Sequence, residues 1–273
     1  MLRDVTLGQY IPGNTLLHKI DPRMKLIISI LFIVAVFLAE NLWAMLALTV
    51  WSFVLVCAAG LKAKMIVKTL KPIIFVVIFT SVISIFWRTG ENLIFEFWKI
   101  RIYSEGIIYA LLIALRIIVL VMGTSVLLSY TTSPIALTDG LEQLLSPLKK
   151  IKVPVHDFSM IMTIALRFIP TLIEETDRIM SAQRSRGADF SNGSLIKRAK
   201  ALVPIFIPLF ASLIRRADEL AIAMECRCYV GDNGRTSMNK LKYSPRDFVA
   251  LLCAVLVCVG MVLISRFVPG PTF

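Results

Sequence analysis

The sequence predicts an all-α polytopic membrane protein with about five transmembrane helices and a pair of long, proline-kinked helices on the cytoplasmic side. Hydrophobic residues make up 57% of the 273 positions and the mean hydropathy is +0.78, whereas soluble domains average about 45–50% apolar residues. Five runs, almost free of charge, approach the length of about 20 residues that crosses a bilayer. This hydropathy excludes a disordered or nucleic-acid-binding protein, although the net charge is +12.

The predicted spans lie in the first half of the chain and at its C-terminal end. They are Leu26–Ala39, Leu42–Leu61, Pro72–Trp87, Ile107–Tyr130 and Phe248–Phe267. The first is short, and we expect the aliphatic stem of Lys25 to extend it while the ammonium snorkels to water. Trp43 is the expected interfacial anchor of the second, and Pro72 suits the first turn of the third. No N-terminal stretch has the pattern of a cleaved signal peptide.

Lysine and arginine collect in alternate segments between the spans. Residues 1–25 hold four bases and two acids, residues 61–72 four bases and no acid, and residues 131–247 seventeen bases and twelve acids. Residues 88–105 hold three of each. Because basic loops stay on the cytoplasmic side, we expect a multi-pass protein of the cytoplasmic membrane with its N-terminus inside and its C-terminus outside.

Three regions follow from these spans. They are a membrane region with four spans at 1–130, a cytoplasmic or interfacial region of long helices at 131–245, and a C-terminal span at 246–273. In the middle region, Phe158–Gly187 and Ser194–Tyr229 are each expected to form one helix, apolar in its first half and charged in its second.

Prolines interrupt the apolar half of both long helices. Pro170 lies in the first helix, and Pro204 and Pro208 lie in the second. A proline inside a helix removes a hydrogen bond and kinks the axis, so we expect both helices to bend. The apolar halves, residues 158–173 and 202–214, are shorter than an ordinary span. They suit buried or interfacial helices, and a hairpin in which both cross the membrane stays open as an alternative.

The charged halves of the two helices form a weak internal repeat, without gaps, at an offset of 41 residues. Asp177, for example, aligns with Asp218. Each charged half ends in an arginine between two small residues: Ser185-Arg186-Gly187 and Cys226-Arg227-Cys228.

These two arginines allow two interpretations. A cation at a helix C-terminus complements the macrodipole by about 0.3–1 kcal/mol, which accounts for most such residues. Alternatively, the small neighbours let another protein approach closely while the guanidinium makes planar, multidentate contacts, and the helix end docks into a groove. Because the pattern occurs at two helix ends, the sequence supports the docking interpretation about as strongly as the helix-dipole interpretation. Gly187 and Gly231 are expected to terminate the helices.

Over nearly its whole length the sequence resembles the transmembrane T component of energy-coupling factor transporters. Gly8-Gln9-Tyr10 and the segment Leu17–Leu26, which reads Leu-His-Lys-Ile-Asp-Pro-Arg-Met-Lys-Leu, are similar to that family's opening before its first span. The two arginine motifs resemble its paired coupling motifs, usually Ala-Arg-Gly or Ala-Arg-Ser, and here Arg186 and Arg227 stand at the centre between small residues.

The resemblance implies a set of partners. Proteins of this family bind two ABC-type ATPase subunits and a small membrane-embedded S component, which captures a vitamin or a metal ion. ATP and Mg would be bound by the partner ATPases, and no cofactor by this chain. Membrane lipid is the remaining expected partner, and nucleic acid is not expected. The acidic pair at 174–175 and the basic pair at 215–216 favour two different ATPases.

The resemblance also assigns roles to particular residues. The residues that would contact the ATPases are Ser185, Arg186, Gly187, Cys226, Arg227 and Cys228. The residues that would belong to the apolar platform for the S component are Pro170, Pro204 and Pro208.

No motif in the sequence indicates an enzyme, and no catalytic residue is expected. A GxxxxGK[ST] phosphate loop is absent, and so is any Gly-Lys dipeptide. His18 and His156 are far apart, and the cysteine pair of the second long helix has no neighbouring ligands, so no metal site is expected. A lone histidine here is expected to be a hydrogen-bonded interfacial residue. An exposed helix face explains Asp139 and Glu142 at least as well as acid–base chemistry does.

Arg116 is the one charge well inside a predicted span. Ionisable residues at this depth are functional candidates by default, and we expect Arg116 to pair with a partner or within the protein. The alternative function is a stand-alone secondary permease with Arg116 as its anion site. Because the span interiors contain no Asp or Glu, a permease ranks below a coupling subunit.

Overall fold

The computed structural model describes residues 10–87, 93–97, 100–188, 190, 194–231, 241 and 243–267. Gly8 and Gln9, and residues 88–92 and 98–99 of the neutral segment, lie outside the described residues. The described residues divide into two compact units. A membrane unit is drawn from Gly8–Leu144 and Leu241–Phe273, and a long-helix unit from Leu145–Lys240.

Six of the described helices belong to the membrane unit. They are α1 (Pro22–Leu38), α2 (Leu42–Ala59), α3 (Ala63–Trp87), α4 (Ser104–Thr124), α5 (Pro134–Leu145, ending at the unit boundary) and α8 (Pro245–Phe267). A short 3₁₀ turn, Leu17–Lys19, precedes α1, and the π-helical segment Ser125–Tyr130 continues α4. Strands β1 (Leu93–Phe97) and β2 (Ile100–Tyr103) form an antiparallel hairpin in the segment predicted as a neutral loop.

Two helices dominate the long-helix unit. A 3₁₀ segment, Ser146–Ile151, leads into α6 (Val155–Ser185), and α7 (Leu195–Cys226) follows. The sequence placed the start of α6 at Phe158, three residues after its observed start, and the start of α7 at Ser194, one residue before its observed start. Both helices continue through their prolines.

The helical prediction is confirmed, but some boundaries were wrong. The structure extends α3 back to Ala63, so Pro72 lies inside the helix rather than in its first turn. The basic segment predicted as a loop at 61–72 is therefore mostly helical, because its lysines and apolar residues are good helix formers. Likewise α1 starts at Pro22, where the Asp21 carboxylate accepts a hydrogen bond from the Arg23 N–H at 2.9 Å.

Five of the described helices are long and apolar enough to cross a membrane: α2, α3, α4 with its π-helical extension, α6 and α8. The number of candidate spans agrees with the prediction, but the helices that make up the set differ. α1 has 17 residues, at the lower limit for a span. α6 has 31 residues and joins the set, because its apolar half is continuous with further helix on both sides.

The core of the membrane unit lies where α1, α2 and α4 meet. Val36, Leu48 and Leu112 are fully buried there, and Met261 of α8 packs against them. In contrast, every residue of α3 is exposed or half-buried. An apolar helix with such exposure requires lipid or another protein around it, which agrees with a membrane protein.

Gly123 of α4 marks a close approach to α1. A Cβ built at Gly123 would overlap the ring of Phe32, which is itself buried, whereas a Cβ at Gly260 of α8 meets open space. We expect Gly123→Ala to lower stability by about 1–3 kcal/mol through overpacking. Gly260→Ala, the matched control, should be neutral or stabilising by about 0.5–1 kcal/mol. Thermal unfolding of the detergent-solubilised variants checks both, and equal melting temperatures would contradict the packing.

Candidate functional site

The first arginine motif lies at the C-terminus of α6, where the chain leaves the helix through Gly187 at φ +88°. The Gly187 N–H donates to the carbonyl of Arg184 at 2.9 Å, and the Ala188 N–H donates to that of Gln183 at 3.0 Å. These two bonds form a Schellman motif. Arg186 is the capping residue, with φ −87° and ψ 6°.

The second arginine motif ends α7 in the same way. The N–H groups of Cys228 and Tyr229 donate to carbonyls three and five residues back, at 2.8 and 3.0 Å. Arg227 is the capping residue, with φ −94° and ψ 14°. The repeat seen in the sequence therefore extends to the backbone: two long helices present an arginine from equivalent caps.

Gly187 terminates its helix as expected, but the choice of Gly231 was wrong. Cys228 occupies the left-handed position after α7, at φ +56°, and Gly231 lies three residues farther on at φ +79°. The Schellman bonds fix that conformation for Cys228, and a side chain in the left-handed region costs about 1–2 kcal/mol.

We expect the two caps to respond oppositely to exchange of glycine and cysteine. Cys228→Gly should stabilise the protein by about 1 kcal/mol, because glycine relieves the left-handed strain, and Gly187→Cys should destabilise it by a similar amount. A Cβ at Gly187 meets open space, so the second effect would come from conformation alone. Thermal unfolding measures both changes, and shifts of the same sign would contradict the equivalence of the caps.

The motif side chains are accessible to another protein. The exposed residues are Ser185, Arg186, Gly187, Cys226, Arg227 and Cys228. Both caps close through backbone hydrogen bonds, so neither guanidinium is required to complete the hydrogen bonding of its own helix end. This arrangement permits the docking interpretation of the arginines and shows no burial that would oppose it.

One residue of the acidic pair at 174–175 and one of the basic pair at 215–216 form an ion pair within the chain. Arg216 of α7 lies 3.7 Å from the Glu175 carboxylate of α6, and an apolar pocket of about 290 Å³ lined by Phe168 and Leu213 adjoins Arg216. A half-exposed pair of this kind contributes little stability, at most about 1 kcal/mol, but it orients the helices. Glu174 and Arg215, the other members of the two charged pairs, are exposed.

The apolar halves of α6 and α7 expose a large hydrophobic surface. Pro170 and Pro204 are exposed, and Pro208 is half-buried. Large exposed neighbours on the two helices are Phe158, Ile161, Met162, Leu202, Val203, Phe206, Ile207 and Phe210. Contiguous apolar exposure of this extent marks contact with a membrane or with another protein.

The N-terminal segment that carried the family resemblance is held by His18. Its Nε2 donates to the Ile11 carbonyl at 2.9 Å, and its Nδ1 accepts from the Thr15 hydroxyl at 2.6 Å. The Ile11 N–H donates to the Tyr130 carbonyl at 3.1 Å, at the end of the π-helical segment. The expectation that this histidine is hydrogen-bonded is confirmed.

Lys25 does not snorkel, contrary to expectation. Its side chain is 2% exposed, and its Nζ donates to the Thr131 carbonyl at 2.8 Å and to the Thr132 hydroxyl at 3.1 Å. The two threonines are also buried. Because they supply acceptors inside the protein, the ammonium ties α1 to the turn after the π-helical segment instead of reaching water.

Asp247 of α8 is a residue that sequence reasoning missed. It is 1% exposed, and its two oxygens accept the N–H of Asp21 at 2.9 Å and the N–H of Ser244 at 2.7 Å. The second bond is half of a capping box at the start of α8, and the first joins α8 to the start of α1. The Ser-Pro-Arg-Asp spacing at 244–247 was a signal that could have identified it.

Arg116 lies against the C-terminal end of α1. Its Nη2 donates to the carbonyl of Ala39, the residue that caps α1, at 2.6 Å. A cation at this position complements the partial negative charge of the helix end. The structure thus pairs Arg116 within the protein, one of the two outcomes expected from the sequence.

The remaining titratable candidates, Asp139 and Glu142, lie on α5. Asp139 is half-buried rather than on the expected exposed face, and burial, followed by the charge of Glu142, raises the pKa of its carboxyl. Across the part of the chain that the structure describes, no three His, Cys, Asp or Glu side chains are grouped as metal ligands.

Comparison with known proteins assigns the family. Residues 13–238 match the CbiQ family, described as "Cobalt transport protein". Three relatives are each named energy-coupling factor transporter transmembrane protein EcfT. The relative from Clostridium kluyveri is 51% identical over 96% of this chain and 97% of its own. The relative from Ruminiclostridium cellulolyticum is 49% identical over 97% of this chain and 98% of its own. The relative from Bacillus subtilis is 42% identical over 97% of this chain and 100% of its own.

Long apolar helices, two equivalent arginine caps and near full-length identity to these relatives agree with one another. The chain therefore belongs to the CbiQ family and is the non-catalytic transmembrane T component of an energy-coupling factor transporter.

Proposed function

We propose that this T component couples two ABC-type ATPase subunits to a membrane-embedded S component, and that Arg186 and Arg227 are its contacts with the ATPases. The observation that carries this proposal is the repeated Schellman cap, which presents one exposed arginine at the end of each long helix. Two equivalent contacts suit two ATPase subunits of similar structure.

The rigidity of the caps supports a mechanical role. Each cap is closed by two backbone hydrogen bonds of 2.8–3.0 Å, so a displacement of the arginine end moves the helix with it. The small neighbours Ser185, Gly187, Cys226 and Cys228 leave room for a groove wall to approach. Closure of the ATPase pair on ATP would then displace α6 and α7, with ATP and Mg held by the ATPases.

The apolar halves of α6 and α7 are the proposed platform for the S component. Their exposed hydrophobic surface surrounds Pro170, Pro204 and Pro208. Movement of the charged halves would reach this surface because each helix is continuous from one half to the other. The S component would change orientation in the membrane and release its substrate inside.

The transported substrate is proposed to be a vitamin or a metal ion chosen by the S component. The matching family description names cobalt, and the relatives' names specify no substrate. Basic residues in 1–25, 61–72 and 131–247 favour a cytoplasmic N-terminus and support a cytoplasmic location of the arginine caps, on the side where ATP is found.

Purification from membranes tests the proposed assembly. The tagged chain, co-expressed with its chromosomal partners and solubilised in mild detergent, should carry two nucleotide-binding subunits and one small hydrophobic protein, identified by mass spectrometry. Reconstituted together, these proteins should take up substrate only when ATP is present. Substrate uptake by vesicles that hold this chain alone, without ATP, would overturn the proposal in favour of a secondary permease.

A further inference from the structure

An apolar groove in the membrane unit has no role in ATPase or S-component contact as proposed above. It has a volume of about 440 Å³ and runs between α1, α2 and α8, within the range of about 300–1,000 Å³ that is typical of ligand sites. Small side chains open it: Ala35, Ala58, Ala250, Cys253 and Ala254.

The groove has the depth of one membrane leaflet. Along α8 it is lined from Pro245 to Val257, which is about 18 Å at 1.5 Å per residue. Half of a hydrocarbon core about 30 Å thick is about 15 Å. An extended acyl chain is the membrane constituent that matches this length and the largely apolar lining.

The charges at the end of the groove favour an anionic headgroup. Among the described residues that line the groove, Lys25 and Arg246 are the charged ones. The Lys25 ammonium is bound to Thr131 and Thr132 inside the protein, whereas Arg246 is exposed at the first turn of α8. The nearby Asp247 carboxylate is buried and accepts two backbone N–H groups, so Arg246 is the lining charge that faces outward.

We propose that this groove binds one anionic glycerophospholipid of the cytoplasmic leaflet, with an acyl chain along α8 and its phosphate on Arg246. The predicted orientation places the start of α8 on the cytoplasmic side, where anionic lipids concentrate and attract basic residues. A guanidinium binds phosphate oxygens in a planar, bidentate manner. The bound chain covers apolar surface between α1, α2 and α8. This inference is independent of the ATPase and S-component contacts.

Trp51 lines the groove and can report its occupancy. The full chain carrying Trp43→Phe, Trp87→Phe and Trp98→Phe retains Trp51 as its single tryptophan. This chain is reconstituted in phosphatidylcholine vesicles that contain a small fraction of lipid brominated on the acyl chain, either phosphatidylglycerol or phosphatidylcholine. At equal mole fraction, brominated phosphatidylglycerol should quench Trp51 several-fold more than brominated phosphatidylcholine.

Two variants locate the source of that preference. Arg246→Gln should abolish it, while Arg266→Gln, which removes an exposed arginine at the other end of α8, should leave it unchanged. Ala254→Phe should fill the groove and reduce quenching by both lipids. Equal quenching by the two headgroups, a preference that survives Arg246→Gln, or no quenching by either lipid would overturn the proposal.

Discussion

Arg186→Glu and Arg227→Glu, made singly, are expected to weaken ATPase association by about 25-fold or more and to uncouple ATP hydrolysis from substrate uptake. Truncating one partner of a desolvated, hydrogen-bonded charge pair at an interface costs about 2–5 kcal/mol, and each 1.4 kcal/mol is about tenfold in affinity. Charge reversal adds repulsion to that loss. Co-purification of the ATPases and ATP-dependent uptake in proteoliposomes measure the two effects.

Matched variants separate docking from an ordinary helix-end role. Arg178→Glu makes the same charge change at an exposed position of α6, two turns before its end, and should leave association intact. Arg186→Lys keeps the charge but loses the planar fork, so it should retain part of the binding. If the arginines only complement the helix dipole, reversal would lower stability by about 1 kcal/mol and leave ATPase binding unchanged.

Asp247→Ala is expected to be among the most destabilising single changes in the membrane unit. It removes the acceptor of two N–H groups, those of Asp21 and Ser244. Each buried donor left without an acceptor costs about 1–3 kcal/mol, and the link between the starts of α1 and α8 is lost. Thermal unfolding in detergent should show a large fall in melting temperature.

Controls for Asp247 lie on the same helix and at the same position. Asp247→Asn retains one acceptor oxygen and should lose less stability than the alanine variant. Leu252→Ala truncates a side chain of α8 that is 62% exposed and should change the melting temperature little. An Asp247→Ala protein as stable as the Leu252→Ala protein would show that the two hydrogen bonds are dispensable.

The helices were predictable because the length of an apolar run is a local property of the sequence. Runs of apolar residues predicted α1, α2, α3, α4 and α8, and the repeat at an offset of 41 residues identified both arginine caps. The end of α7 was misplaced because glycine is the usual residue in a left-handed cap, whereas here Cys228 takes that conformation. Backbone hydrogen bonds determine where α7 ends, and residue-type preferences do not predict them.

The buried polar contacts of the membrane unit were not predictable from local pattern. Lys25 beside an apolar run suggested snorkelling, but Thr131 and Thr132, more than a hundred residues away in sequence, supply its acceptors. Similarly, Arg116 was recognised as unusual, yet its partner at the end of α1 follows only from helix packing. Such pairings depend on tertiary neighbours that a single sequence does not specify.

The central claim is that the two arginine caps touch the ATPases, and site-specific photocrosslinking in the assembled transporter tests it most directly. A benzophenone amino acid placed at Ser185, and separately at Cys226, lies beside each arginine; a third placed at Leu252 of α8 is the control. Irradiation should yield adducts with a nucleotide-binding subunit from both cap positions and no such adduct from the control position. Absence of ATPase adducts from Ser185 and Cys226, in a complex that still contains the ATPases and hydrolyses ATP, would contradict the claim.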